Sequence, residues 1–545
     1  MGEKSLHTRN FIYVNHRTIV FMTASKPFLR EATGLVREFS WFEAFLISSS
    51  VVLPSLWSYA SQIAFVATAV PGADWVLSEH LGLLFTLPLA IVYVLLSMSM
   101  PRSGGDYVWI TRGVHPVIGF ISGWSFWISL LAIVGIEGFI NSTVVLPIAL
   151  VSFGYALGNQ FLVGLATTVA TPVNGFLLGL MLILVSSVIA GLSAKIFSRV
   201  MTILFILIML SAFLSFYVLG SSSHIAFQNA VNGYGGTNMT YNGIINQAQS
   251  SGWSYVPLSF SLTLMSVPLA VLLYNGQNFA AAASGEIKNV KSNMRYAILG
   301  SLIFAWVLNI IGTQLSVNVV GYQFVQASLA LGSNWPLAAP PWMPLFVSML
   351  TNNFPILFLI QLGWLLTFFW NIPGFLLVAT RYVFAFSFDR ALPSKLADIN
   401  DRFHFPLKAA ILNTILATVF LILASFTPYL GIFLNSVAIW SVVWFMGSVV
   451  AVILPYKKKQ LVSFLPGAGW KIPLLTIVGA ISMIFMAANF YFSVTTPAIG
   501  PSTIQADAIL ATIFVSGLVV YVLAYTYNKR RGIDLNMVYS EVPPE

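Results

Sequence analysis

Two short polar runs interrupt otherwise apolar segments and carry the groups best suited to chemistry. One is Ser48-Ser49-Ser50-Val51-Val52-Leu53-Pro54-Ser55, the other Tyr274-Asn275-Gly276-Gln277-Asn278. Pro54 removes a backbone donor and clashes with the preceding turn, and Asn-Gly favours a turn over a helix interior. A break in an apolar helix leaves N–H and C=O groups free to hold ions and small charged molecules. Ser49, Ser50, Pro54, Ser55, Tyr274, Asn275 and Gly276 are therefore the candidate binding residues. Such a site holds its ligand with backbone dipoles and hydroxyls and makes no covalent bond.

Other chemistries find little support. Without cysteine, thiol catalysis, disulfides and Cys metal sites are excluded. No HExxH, GxSxG or GxxxxGK[ST] occurs, which argues against a membrane-embedded hydrolase and against direct drive by ATP. No catalytic residue, metal site or organic cofactor is expected. The six histidines are expected outside the apolar segments, with His80 and His224 on the outer side.

Isolated polar groups in apolar segments are weighed singly. Glu137 is costly if ionised at membrane depth. It reads as a proton carrier or amine partner, or as a neutral carboxyl bonded to Asn141 one turn on. Glu43 is expected near the start of its helix, where the dipole favours an acid. Arg381 is expected to reach the headgroups or pair with Asp389. Thr380, with Ser49 and Ser50, would suit an oxygen-rich cation site, although hydroxyls also bond their own helix backbone. Trp364 and Trp370 are candidates to wall the site.

The elements that position these groups follow from charge placement. All 25 Lys and Arg residues fall in seven clusters, and stretches 38–101, 113–194, 200–287, 296–380, 409–456 and 472–528 hold none. Lys and Arg concentrate in cytoplasmic loops, so each empty stretch crosses the bilayer an even number of times. A crossing takes ~20 apolar residues. Two per stretch gives twelve helices with both termini in the cytoplasm. The chain is 58% hydrophobic and 8% charged, with a mean hydropathy of +0.87. The net charge of +9 then reads as topology helped by anionic lipid, and no nucleic-acid partner is expected.

Helices are expected near 41–69, 81–100, 117–145 or beyond, 173–194, 200–219, 255–284, 297–320, 354–387, 408–427, 432–454, 472–494 and 507–527. Residues 143–171 read as the outer end of helix 3 plus a re-entering or surface segment. Residues 221–252 read as a long outer loop carrying the sequon Asn238-Met239-Thr240. Residues 1–37 form a basic tail, 38–528 the membrane domain and 529–545 a second tail. Met22 opens a complete lead-in, so residues 1–21 are expected to be a dispensable arm or an upstream start. Asp74, Glu79 and Asp507 are expected to be the only charges on the outer face.

Four segments carry a family resemblance. PRSGGDYVWITRGVHPVIGFISGW at 101–124 resembles the signature between helices 2 and 3 of the amino acid–polyamine–organocation (APC) superfamily. YNGQNFAAAASGEIKN at 274–289, TRYVFAFSFDRALPSKLADINDRFHFP at 380–406 and YTYNKRRGIDL at 525–535 are similar to its helix 6 motif, its loop after helix 8 and its tail. The resemblance implies an all-α fold in which helices 1–5 and 6–10 form inverted repeats, with two peripheral helices. It implies alternating access, with broken helices 1 and 6 binding substrate. The chain departs from the family at three places. The usual helix 1 Gly-Ser-Gly is Pro54-Ser55-Leu56, an acid common in helix 6 is Asn278, and a helix 5 lysine of some proton-coupled members is Phe205.

The resulting expectation is a multi-pass cell-membrane permease for amino acids or related amines, coupled to Na+ or H+. An amino-acid or polyamine exchanger and a transport-dead sensor of the same fold are the alternatives. Substrate side chain and oligomeric state are left open.

Overall fold

The computed structural model describes residues 37–52, 56–400, 405–427, 432–496, 499 and 504–540. Pro54 and Ser55, the arm at 1–21, and Asp507's side chain lie outside the described residues.

Among the described residues the regular secondary structure is helical, with two isolated bridges. In chain order the helices are α1 (Trp41–Val52), α2 (Leu56–Ala69), α3 (Trp75–Ser99), α4 (Asp106–Gly113), α5 (Pro116–Ile140), α6 (Leu146–Ala156) and α7 (Gln160–Val169). Then come α8 (Pro172–Ala190), α9 (Ala194–Gly220), α10 (His224–Val231), α11 (Tyr241–Ser250), α12 (Phe260–Leu273), α13 (Phe279–Ala282), α14 (Val290–Val319) and α15 (Tyr322–Ala330). The remainder are α16 (Met343–Met349), α17 (Phe354–Phe388), α18 (Leu407–Phe426), α19 (Ile432–Lys457), α20 (Leu474–Thr495), α21 (Ile504–Arg530) and α22 (Leu535–Ser540).

Among the described residues, 11 helical segments are long and apolar enough to cross a membrane. The segment expected as helix 6 is not one of them, because it is split. α12 runs for 14 residues, ~21 Å at the helical rise, and stops at Leu273. Tyr274 to Asn278 then form turns before the short α13. Proline and caps set other boundaries. Pro116, Pro147 and Pro172 occupy first turns, where the missing N–H costs nothing. Asp74 caps α3 by accepting from the Val76 and Leu77 N–H groups at 3.0 and 3.1 Å.

Helix 3 runs on beyond residue 145, as the sequence allowed. α5 passes through a π-turn at Asn141–Val145 into α6, a continuous 41 residues. Pro147 does not end it, since it falls at the first turn after the π-bulge. α7 then folds back along α6, turning at Gly158 (φ 61°) and capped by Asn159. Segment 221–252 is not an open loop: it forms α10 and α11, capped by Ser223 and Thr240. These pack on α15 and α16 through Tyr241–Phe324 (4.7 Å) and Phe227–Phe346 (5.8 Å). α15 and α16, between helices 7 and 8, carried no sequence expectation.

Contacts gather the basic clusters onto one face. Arg112 meets Asp389, Arg381 meets Glu286, and Lys291 lies 4.4 Å over the Phe464 ring. Asn528 donates to the Arg390 carbonyl at 2.9 Å. Ala194, next to Lys195, lines a small cavity with Phe39 and Arg381. These contacts bring parts of the basic clusters near one another.

Candidate functional site

The break in helix 6 turns on Gly276. Its φ of +100° lies where side chains are rarely tolerated. The N–H groups of Gly276, Gln277 and Asn278 make no hydrogen bond among the described residues; the carbonyl of Gly276 accepts from Phe279 N–H at 2.8 Å. Three adjacent free donors are an anion-binding arrangement. Tyr274, Asn275, Gln277 and Asn278 are all 3% exposed or less, so the break is closed to solvent. Both amide atoms of Asn275 and of Gln277, and the Asn278 carbonyl oxygen, lack a protein partner. Buried polar groups are normally satisfied, so this cluster stands out.

Helix 1 lies against the break. Ser48 Oγ donates to the Gln277 carbonyl at 2.9 Å and accepts from Ala280 N–H at 3.3 Å. Ser49 is fully buried, its Oγ without a protein partner. Ser50 Oγ instead donates to Ile47 O in its own helix at 2.8 Å. It packs on α17 so tightly that a Cβ on Gly374 would fall 2.2 Å from it. Sequence reasoning passed over Ser48 as a contact, because three equivalent hydroxyls in a row do not reveal which one faces the break.

Glu137 accepts from Asn371 Nδ2 at 2.8 Å, joining α5 to α17. Its partner is therefore across the helix interface, and not Asn141. Glu137 Oε2 has no protein partner. Thr380 Oγ1 donates to Leu376 O at 2.7 Å and accepts from Asn413 at 3.1 Å. Ser50 meets α17 at Gly374, six residues and ~9 Å along the helix from Thr380. Phe205 packs with Phe45, Phe304 and Trp370 at 6.1, 6.2 and 5.6 Å. These rings form a cluster around Phe205. Trp364 donates to Val145 O at 3.0 Å and packs 5.4 Å from Trp57, forming an aromatic layer with Trp342 and Phe368.

Glu79, His80 and Arg381 sit differently from expectation. Glu79 is fully buried in α3, accepting a 2.5 Å bond from the Tyr274 hydroxyl. It was placed outside because α3 starts at Trp75, earlier than apolar content indicates. His80 accordingly belongs to α3 too, on its exposed side. Arg381 pairs with Glu286 through Nε and Nη2 at 2.6 and 2.7 Å, while Asp389 takes Arg112 at 2.6 and 2.7 Å. Glu43 accepts from the Ser40 N–H at 2.5 Å, a cap on α1.

The basic face is closed by these pairs and by Asp106, which accepts from Tyr93 at 2.7 Å and from Tyr382. Burial pushes the Asp106 carboxyl up from 3.8 to about 6, against the lowering effect of the two tyrosines. Tyr539 of α22 covers the Arg112 pair, its ring 5.2 Å from the guanidinium.

A family model described as amino acid permease matches residues 39–517. The chain is 26% identical over 500 residues to the branched-chain amino acid permease BcaP of Lactococcus lactis subsp. cremoris (strain MG1363), covering 88% of this chain and 92% of that one. It is also 22% identical over 376 residues to uncharacterized protein 399 of Sulfolobus islandicus rod-shaped virus 1, covering 68% and 69%. These likenesses point to a transporter rather than an enzyme. With its many apolar helices and a family match over most of its length, the chain belongs to the amino acid permeases of the APC superfamily.

Proposed function

We propose that this multi-pass membrane protein is a secondary transporter that carries an apolar amino acid by alternating access. The observation that carries the reading is the break in helix 6, with three free N–H groups buried against the serines of helix 1. The substrate carboxylate sits on Gly276, Gln277 and Asn278 N–H and the Ser49 hydroxyl. Its ammonium meets carbonyl oxygens freed by the break in helix 6, with Tyr274 and Asn275 alongside. Phe279, packed 5.4 Å from Phe375, offers an apolar wall, and the likeness to a branched-chain amino acid permease favours Val, Leu or Ile over charged substrates.

Twelve spans follow if α12, the break and α13 together form one crossing. Helices 1–5 and 6–10 then act as inverted repeats, with α20 and α21 peripheral and both termini cytoplasmic. Rocking of helices 1, 2, 6 and 7 exposes the site to each side in turn. Glu137 is a candidate proton carrier, and Ser49, Ser50 and Thr380 are candidates for a cation.

The test is uptake of labelled leucine into sealed proteoliposomes, with sodium and pH gradients imposed separately. Concentrative uptake inhibited by valine and isoleucine, and not by glutamate or arginine, is the expected result. Leucine binding without flux would replace the transporter with a sensor; flux only into amino-acid-loaded vesicles would make it an exchanger.

A further inference from the structure

Glu79 belongs to none of the groups assigned above. It lies four residues into α3, at the end away from the basic face, and is fully buried. Oε2 accepts from the Tyr274 hydroxyl at 2.5 Å, and Oε1 has no protein partner. An uncompensated carboxylate in such surroundings is expensive.

No cation is placed to compensate it. The elements packed against α3 are α2, α12, α13, α14, α19 and α20. Of these, α2, α12, α13 and α20 contain no Lys, Arg, His, Asp or Glu; the lysines and arginine of α14 and α19 (Lys291, Arg295, Lys457) lie at the basic-face ends. Tyr59 on α2, Tyr296 on α14, Tyr456 on α19 and Tyr491 on α20 are the other titratable groups there. On α3 itself, His80 is turned to the Trp306 ring, 5.7 Å away, and Tyr93 is bonded to Asp106. Asp74 is occupied by the cap of α3 and the Tyr322 hydroxyl.

Tyr274 ties this carboxyl to the moving part. It is the first residue past α12, and its ring lies across Gly82. A Cβ there would come 3.0 Å from Tyr274 Cε2 and 2.6 Å from Ala270 Cβ. Asn309 and Ser58, bonded at 2.8 Å, extend the polar contacts to α14 and α2. Glu137 differs: it joins α5 and α17, both uninterrupted at that level.

We propose that Glu79 is a proton-binding site that couples proton entry to substrate movement through its hydrogen bond to Tyr274. Glu79 takes one proton from water on the side away from the basic face. It stays a neutral carboxyl while the site is closed and yields the proton to water once helix 6 opens towards the basic face. Only an O–H bond forms and breaks. The neutral acid gives up the strongest form of its bond with Tyr274, since a hydroxyl bonds a carboxylate more tightly than a carboxyl, and this loosens the break for rearrangement.

The inference rests on the transport reading above, so the experiment separates the two. Proteoliposomes are assayed for leucine counterflow without ion gradients and for leucine accumulation driven by an acid-outside pH gradient. Wild type is expected to do both. Glu79→Gln is expected to lose pH-driven accumulation while counterflow persists and becomes independent of pH. Glu79→Asp should recover part of the accumulation. Tyr274→Phe removes a donor that favours the ionised form, so the midpoint of the pH profile should move to higher pH. Counterflow in wild type with no response to the pH gradient would overturn the proton site and leave the transporter. Accumulation by Glu79→Gln equal to wild type would overturn it as well. If Glu79→Gln loses both activities, an unshifted pH midpoint in Glu79→Asp and Tyr274→Phe would count against it, and a shifted one for it. Absence of both activities in wild type would remove the transport reading and the proton site together.

Discussion

Gly276 holds a backbone angle of +100° in the middle of the helix 6 break. An added Cβ there costs about 1–2 kcal/mol at the residue that directs three N–H groups into the site. Gly276→Ala is therefore expected to lower leucine uptake about tenfold or more, with a lowered thermal midpoint. Gly164→Ala in α7, where a Cβ meets nothing within 4 Å, serves as the control and should leave uptake intact. Single residues were unevenly legible. Asn-Gly announced the turn because its backbone preference is local. Glu79 was misplaced because its burial depends on where α3 begins and on a tyrosine 195 positions away. Ser50 and Thr380 look alike in sequence to Ser48, yet both turn to their own helix backbone, a choice that only the neighbouring helix decides.

At the scale of elements, Glu286 after α13 and Arg381 on α17 form a two-bond ion pair, 6% and 3% exposed. Removing one partner leaves a buried charge. Glu286→Gln is expected to cost about 3–5 kcal/mol of stability, read as a lower thermal midpoint in detergent. The double variant Glu286→Gln/Arg381→Met should recover much of that loss, which distinguishes an unpaired charge from a general packing defect. The end of helix 6 and helix 8 are held together by this pair. The Phe405 ring lies 5.1 Å from the Arg381 guanidinium, and the protein has no cysteine, so a single Phe405→Cys should label faster when the pair is cut. Helices were the most readable elements: 354–387 was expected where α17 spans Phe354–Phe388. Long apolar runs fix a span whatever its neighbours are. The short helices α10, α11, α15 and α16 were not readable. Their apolar faces are brief, and they hold shape by packing on each other, as Tyr241 does on Phe324.

For the whole molecule, charge placement carried the most information, because the bilayer penalises a misplaced cation wherever the fold puts it. The same face holds buried carboxyls that sequence could not pair, since Arg112 and Asp389 lie 277 positions apart. Asp106 on that face supplies a pH prediction. Its carboxyl is raised by burial from 3.8 to about 6, so the folded state binds the proton more tightly than the unfolded chain does. Its contribution to stability is complete below pH about 4 and is lost as pH rises through about 6. Asp106→Asn should flatten that part of the curve of thermal midpoint against pH. An unchanged slope between those values would refute the assignment. Finally, the entry to helix 1 and the exit from helix 6 are joined by main-chain hydrogen bonds. Glu38 and Phe39 N–H reach the Glu286 carbonyl at 2.9 and 3.0 Å, and Lys288 N–H reaches the Phe39 carbonyl at 2.8 Å. A seam stitched from peptide groups is blind to side-chain identity. Exposed Glu38 and Lys288 are thus free to change type while helices 1 and 6 stay yoked, and proline at either position removes a donor from the seam.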